Sequence, residues 1–308
     1  MSGDADKQLR NAFPEGLQAG APLAPYTAAR IGGPAEYLLT VRTAAELESA
    51  VRRLWELQIE FRVLGGGSNV LIADAGVPGV VVLNQARAVR LETAPGPRVW
   101  AESGANLGGT ARRAADRGLS GLEWAATVPG SIGGAVVGNA GAHGGDMAGT
   151  LEQATIVDRR GDRRDWSVAE LEYGYRTSWL KRNPGEAVVL SGQFRVVQSE
   201  PAAVRERMDE FNEYRQRTQP TGASLGSMFV NPPGESAGRL LEAAGLKGTR
   251  QGAVEISRLH ANFFVNEGGG RASDVLALIE RARTRVAEQF GVELELEIEL
   301  VGKWKSHA

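Results

Sequence analysis

The 308-residue chain contains no cysteine. That excludes disulfides, iron–sulfur clusters, thiolate zinc sites and every cysteine nucleophile. Histidine is nearly as scarce, with three residues at 143, 260 and 307, so a Ser-His-Asp triad is not expected, and no metal ligand set is legible. Proton transfer falls to Ser, Tyr, Lys or carboxylates. Charge of one sign is also lacking: 35 basic against 37 acidic residues leave a formal net charge of −2. No broad field would draw in nucleic acid or an anionic membrane, although a phosphate-bearing small molecule stays open, because local arginines decide that. No apolar run approaches the roughly 18–20 residues that span a bilayer, and the first twenty residues hold no apolar signal region. A cytoplasmic protein without membrane insertion is expected, its oligomeric state left open.

Glycine is abundant, with 40 residues. Seven of them, at 130, 133, 134, 138, 141, 144 and 145, fall within residues 127–145. Inside a regular element each costs roughly 0.5–1 kcal/mol relative to alanine, so the stretch is expected to be neither helix nor strand. It implies backbone at positive φ, or backbone approached by something large. Interleaved Val, Ile and Pro argue against a flexible linker. A second glycine loop, Gly65-Gly66-Gly67-Ser68-Asn69, follows a short apolar strand. Neither loop carries the common phosphate fingerprints: Val70 stands where G-x-G-x-x-G needs glycine, and G-x-x-x-x-G-K-[ST] is absent. Two loops rich in backbone N–H groups could instead grip two ends of one long diphosphate ligand, and a dinucleotide such as FAD has that length.

Along the chain, residues 1–25 read as a loosely held arm. A strand is predicted near 36–41, then a helix over 44–58 with Leu47, Ala50, Val51, Leu54 and Leu57 at helical spacing. Short strands follow at 61–64, 70–73 and 80–83, another at 98–103, and a helix over 106–117 closed by Gly118. Strands are predicted at 151–158 and 187–197, and Pro201 opens a helix to about 217 that marks a domain boundary. A helix over 236–244, a strand-like 260–266 and a helix over 273–289 with Ser273 as its cap come next. Residues 292–300 alternate strictly, with Val292, Leu294, Leu296, Ile298 and Leu300 on one face and Glu293, Glu295, Glu297 and Glu299 on the other. The pattern puts all four glutamates on a solvated face and singles out none.

Five motifs in order carry a resemblance. Leu64-Gly-Gly-Gly-Ser-Asn-Val-Leu, Val128-Pro-Gly-Ser-Ile-Gly-Gly with Asn139-Ala-Gly-Ala, Tyr175-Arg-Thr-Ser, Gly226-Ser-Met-Phe-Val-Asn-Pro and the terminal Leu-Glu-Leu-Glu together resemble the UDP-N-acetylenolpyruvoylglucosamine reductase family, which makes UDP-N-acetylmuramate for bacterial peptidoglycan. The resemblance implies an α+β fold. It would comprise a two-subdomain FAD-binding region of the vanillyl-alcohol-oxidase type (26–84 and 85–200) and an α+β substrate-binding domain (201–297), with the C-terminal strand 298–304 a candidate to pack on the first subdomain. It implies non-covalent FAD, NADPH as co-substrate, a nucleotide-sugar substrate and a bacterial cytoplasm. NADPH would deliver hydride to flavin N5, and reduced flavin would pass it to the terminal carbon of the enolpyruvyl group, whose neighbouring carbon takes a proton.

The residue roles also come from the resemblance. Ser227 matches the proton donor, Arg176 the arginine that holds the substrate carboxylate as it becomes an enediolate, and Glu297 the acid that helps polarise it. Flavin-contact candidates are Gly65, Gly66, Gly67, Ser68 and Asn69 in the first loop, and Pro129, Gly130, Ser131, Gly133, Gly134, Asn139 and Gly141 in the second. Tyr175, Arg215 and Asn231 are candidates for the nucleotide-sugar, with Arg217 a rival to Arg215. The chain departs from the family pattern at Val230, where many members have lysine, at Leu296 and Glu299, which replace Pro and Arg, and at His143, where tyrosine is frequent. The short interval between Arg176 and Ser227 resembles the branch lacking an extra tyrosine-bearing loop. Two other readings are an oxidase of the same flavin fold with covalent FAD, and a nucleotide-sugar binding protein without catalysis. The lack of cysteine, with His143 the only histidine in the region, weighs against the first.

Overall fold

Helix Ala44–Glu56 forms where the apolar spacing predicts it. Thr43, in extended conformation, accepts the Glu46 N–H at 3.1 Å, and Leu47, Ala50, Val51 and Leu54 are buried. These residues share an apolar cluster with Tyr37, Leu39, Val41, Val80 and Val82. Those belong to a four-stranded sheet in the order Leu17–Ala19, Ala35–Val41, Val77–Asn84, Phe61–Leu64, the last two parallel with Phe61 opposite Val80. The computed structural model describes residues 3–93 and 96–304; Met1, Ser2 and His307 lie outside them. The start of the chain is no loose arm: Gly3–Ala12 is helical, and Leu9 is fully buried in the same cluster. One apolar residue among nine polar or small ones is too little periodicity to be read from sequence.

A five-stranded antiparallel sheet follows, ordered Arg163–Ser167, Leu151–Asp158, Ala187–Arg195, Arg98–Glu102, Val89–Glu92. The two edge strands were not predicted. Their sequences, Arg-Arg-Asp-Trp-Ser and Val-Arg-Leu-Glu, bury only Trp166, and a polar edge leaves no apolar run to detect. Helix Leu107–Ala115, begun by Asn106 accepting the Gly109 N–H at 2.7 Å, joins this sheet in one core with Val99, Phe194 and Ile156.

The glycine-rich stretch corrects the expectation of irregular backbone. Residues Ile132–Gly138 form a helix, capped by Ser131 at its start and ended by Asn139 in the left-handed conformation at φ 45°. Of the seven glycines only Gly130 and Gly144 have positive φ. The helix is tolerated because Ile132, Ala135 and Val136 are buried and outweigh the propensity cost of its glycines.

By packing, the chain divides into two units. One holds the part up to Gln18, Tyr37–Gly66 and Gly79–Arg215; the other holds Ala19–Glu36, Gly67–Pro78 and the part from Gln216. The second unit contains an antiparallel sheet ordered Ala223–Ser227, Phe263–Asn266, Val254–Ile256, Arg250–Gln251, with helices Ala237–Ala243 and Ala272–Phe290. Ser273 is not the cap of the long helix. Arg271 occupies that position, its N–H donating to Asp274, while Asp74 accepts the N–H groups of Ala272 at 2.8 Å and Ser273 at 3.0 Å. The alternating tail is regular strand only at Glu299–Val301, which pairs in parallel with Val70–Ile72. Both units mix helices and strands, the α+β class that was expected. No helix of the described residues is long and apolar enough to cross a membrane.

Candidate active site

In the first unit the two glycine stretches meet backbone to backbone. A Cβ on Gly66 would stand 2.8 Å from Gly130 Cα, and one on Gly65 would strike Ser131 Oγ. Gly133 is held as closely, its would-be Cβ 3.0 Å from that of Ser103. Gly134 and Gly138 differ. One turn apart on the helix, they present bare backbone: the nearest atom to a Cβ at Gly134 is Ser131 Oγ at 3.6 Å, and Gly138 has nothing within 4 Å. This uncovered strip beside interlocked loops is a cradle that a Cβ would fill, and it fits a large cofactor lying against peptide backbone.

Arg176 is fixed against the same stretch. Tyr175 and Arg176 are the central residues of a tight turn whose ends, Gly174 and Thr177, exchange backbone hydrogen bonds at 3.1 and 3.3 Å. Arg176 has φ 56°, a conformation disfavoured for side chains with a Cβ, and its Nη1 donates to the Gly141 carbonyl at 3.0 Å. Lys181 Nζ donates to the Arg176 carbonyl at 2.8 Å, and Ser178 Oγ to that of Val137 at 2.6 Å. Tyr175 is 63% exposed at the turn's tip. Lys181 escaped the sequence reading, and Ser178 entered it only as the end of the Tyr175-Arg-Thr-Ser motif with no role, because a side-chain bond to a distant backbone carbonyl leaves no pattern. Asn139 is buried, its Nδ2 donating to the Gly174 carbonyl at 2.9 Å and its Oδ1 accepting the Ala148 N–H at 3.0 Å.

Arg215 lies half-buried near the end of helix Pro201–Thr218. Beside it His143 stacks on Phe211, centroids 4.2 Å apart and planes within 9°, meets Tyr214 edge-on at 5.8 Å and bonds Thr127 Oγ1 through Nε2 at 3.1 Å. Burial, then the Arg215 charge, hold the imidazole below the ordinary histidine pKa; burial likewise lowers that of Arg215.

In the second unit, Ser227 ends strand Ala223–Ser227 opposite Phe263, where the pairing slips register and Gly226 takes φ 77°. The next residues pair with the tail: Met228 O accepts the Glu297 N–H at 2.9 Å, Phe229 bridges Leu296, and Glu295 O accepts the Val230 N–H at 2.9 Å. Ser227 is thus one residue from the partner of Glu297, although the two are far apart in sequence. Buried Asn262 locks this segment, accepting the Phe229 N–H at 2.9 Å and donating to the Phe229 carbonyl at 2.8 Å. Glu297 is half-buried while Glu293, Glu295 and Glu299 are exposed, a distinction that strict alternation could not make. Asn69 Nδ2 donates to the Glu297 carbonyl at 3.0 Å, and Asn69 O accepts the Glu299 N–H at 2.9 Å. Gly67 has φ 57° and packs on Tyr26 backbone, and Asn231 Oδ1 accepts the Ala237 N–H at 3.0 Å. Pro129, Gly130 and Ser131 lie in the first unit, while Ser68 follows Gly67 in the second. Among the described residues no group of three or more His, Asp or Glu could hold a metal ion.

Residues 35–167 match the FAD binding domain family, which defines the class: a flavin-dependent oxidoreductase. Residues 217–301 match the C-terminal domain of UDP-N-acetylenolpyruvoylglucosamine reductase. Proteins of that name from Chloroflexus aggregans and Rubrobacter xylanophilus are 44% and 45% identical to the chain, over 95% and 97% of it and 100% and 99% of their own lengths. The crystal structure of UDP-N-acetylenolpyruvylglucosamine reductase from Thermus caldophilus, 38% identical, superposes with a TM-score of 0.79 over 91% of this chain and 97% of that one. The chain belongs to the UDP-N-acetylenolpyruvoylglucosamine reductase family.

Proposed function

We propose that this oxidoreductase reduces the enolpyruvyl group of UDP-N-acetylenolpyruvoylglucosamine to UDP-N-acetylmuramate in peptidoglycan synthesis, in the cytoplasm, with FAD as resident cofactor and NADPH as electron source. The supporting observation is the pairing of 228–230 with 295–297, which sets Ser227 next to the one half-buried glutamate of the tail. Bound FAD supplies a two-electron carrier between NADPH and the terminal enolpyruvyl carbon. The interlocked glycines 65, 66 and 130, with Pro129, Ser131, Gly133, Gly134 and Gly141, are the proposed walls of its site; Gly67 and Ser68 are proposed as further flavin contacts.

The remaining chemistry falls to side chains. Hydride arriving at the terminal carbon leaves the adjacent carbon as an enolate, with charge spreading into the carboxylate. The planar Arg176 guanidinium, with its fork of N–H donors, is matched to that carboxylate. Its turn is braced before substrate arrives, so little reorganisation is needed as the negative charge grows. Glu297 polarises the same group. Ser227 Oγ–H donates its proton to the enolate carbon, a base strong enough to deprotonate an alcohol held in line with it, and solvent returns a proton to the serine oxygen. Arg215 takes the diphosphate of the nucleotide-sugar, and Tyr175 and Asn231 are further contacts to that substrate; the Asn231 oxygen being engaged with Ala237, its amide N–H groups make the contact.

Anaerobic stopped flow on the flavin absorbance tests this. NADPH is expected to bleach the holoenzyme and the enolpyruvyl nucleotide-sugar to restore the colour; restoration no faster than with buffer means that the substrate is wrong. In Ser227→Ala the bleaching persists, and restoration slows by the roughly 10²–10⁴-fold typical of a positioned acid. Equal damage to both halves would instead make Ser227 structural.

A further inference from the structure

One asparagine in each glycine loop, Asn69 and Asn139, was expected to contact the flavin. Their side-chain amides are turned to other work. Asn139 stands in the left-handed conformation just past helix Ile132–Gly138, a position that glycine or asparagine fills. Its amide joins three segments, donating to the Gly174 carbonyl at 2.9 Å and accepting the Ala148 N–H at 3.0 Å. The Gly174–Thr177 turn is therefore gripped from residues 137, 139 and 141: Ser178 Oγ reaches the Val137 carbonyl, Asn139 holds Gly174, and Arg176 reaches the Gly141 carbonyl. Arg176 itself has φ 56°. Such backbone is strained and persists only where its surroundings over-determine it, as these anchors do. In the other unit Asn69 makes an analogous contact. Its Nδ2 donates to the Glu297 carbonyl at 3.0 Å and its carbonyl accepts the Glu299 N–H at 2.9 Å, so Glu297 is held from one side by Asn69 and from the other by Met228.

We infer that Asn139 and Asn69 are positioning residues, through which each glycine loop sets the place of one catalytic side chain, Arg176 and Glu297 respectively. The inference rests on the roles proposed for those two residues. The loops then do two things with one backbone: their glycines wall the cofactor site, and one asparagine in each aims a group that acts on the substrate carboxylate. Displacing such a group by about 1 Å is enough to cost on the order of 10²-fold in rate.

Asn139→Gly keeps the left-handed backbone and removes only the amide; Asn69→Ala removes the other. For each holoenzyme, flavin content, bleaching by NADPH and restoration by the enolpyruvyl nucleotide-sugar are measured, together with hydrogen exchange of peptides covering 172–178 and 295–299. The expected result is unchanged flavin content and bleaching, restoration slowed about 10- to 100-fold, and faster exchange in 172–178 for Asn139→Gly and in 295–299 for Asn69→Ala. The loss is to be non-additive: adding Asn139→Gly to Arg176→Ala, or Asn69→Ala to Glu297→Gln, slows restoration little further, since a positioning residue acts only through its partner. Loss of flavin, with both half-reactions impaired alike, would overturn the inference in favour of direct cofactor contact, and so would full additivity. If Arg176→Ala or Glu297→Gln alone restores colour at the wild-type rate, the catalytic assignment fails, and that outcome is separate from the behaviour of the asparagines.

Discussion

Neighbouring glycines 133 and 134 serve different ends. A side chain at Gly133 drives into Ser103, whereas one at Gly134 has only Ser131 Oγ at 3.6 Å and otherwise open space. Valine is no poorer a helix former than glycine, so Gly134→Val has no intrinsic reason to unfold the Ile132–Gly138 helix. It is expected to melt near wild type when both are compared as apoproteins, and to lose bound FAD, read as a fall in the ratio of flavin to protein absorbance. Gly133→Val is expected to lose stability and flavin together, because the overpacked contact with Ser103 costs of order 1–3 kcal/mol. Gly134→Val with full flavin occupancy would show that the bare strip is not part of the cofactor site. The same scale separates Glu297 from its neighbours. Alternation treats four glutamates as equivalent, and only their pairing partners make one of them half-buried beside Ser227.

At the scale of elements, helix Pro201–Thr218 is joined by a ring stack to the hairpin that follows helix Ile132–Gly138, in which Gly141–Ala142 pairs with Gly145–Asp146. His143 lies flat on Phe211 and edge-on to Tyr214, with the Arg215 charge nearby. Burial and that charge hold its folded pKa below the ordinary value of 6.5. The unfolded chain therefore binds the proton more readily, so the stability from a neutral His143 is present above pH 6.5 and declines as pH falls from there towards the lowered folded pKa. His260, lowered mainly by burial, adds to the same trend. The melting temperature of wild type is expected to fall between pH 7 and pH 5. His143→Phe, which keeps the stack and cannot titrate, should fall less; an identical slope in the two proteins would remove His143 as a contributor. Elements of this kind were unevenly legible. Helices Ala44–Glu56 and Ala272–Phe290 and the inner strands Ala35–Val41, Leu151–Asp158 and Ala187–Arg195 follow from apolar periodicity, because burial on one face writes itself into sequence. The polar edge strands, the N-terminal helix and the helix within the glycine stretch left no such imprint. The Asp74 cap of the last helix and the asparagine clamps are single polar contacts between segments distant in the chain, invisible to any local pattern.

On the scale of the whole molecule, the sequence suggested consecutive domains, with residues 201–297 a separate substrate-binding part. The packing is discontinuous instead: Ala19–Glu36 and Gly67–Pro78 belong with the part from Gln216, and helix Pro201–Thr218 lies mostly in the other unit. The core of the C-terminal part includes Ala29, Ile31 and Leu71, which come from those early segments. Strand Glu299–Val301 takes its pairing from Val70–Ile72, and the first turn of helix Ala272–Phe290 is capped by Asp74. A fragment of residues 216–308 contains the segments of the antiparallel sheet and of two helices but lacks three buried side chains, a strand partner and a cap. Large-to-small changes in cores each cost roughly 2–5 kcal/mol, against a total stability of about 5–15 kcal/mol for a whole domain. The isolated fragment is therefore expected not to fold: circular dichroism should give a broad, non-cooperative thermal transition, and its amide proton spectrum should be poorly dispersed. A sharp transition with a dispersed spectrum would mean that residues 216–308 are self-sufficient and that the early segments are accessories to a core formed without them.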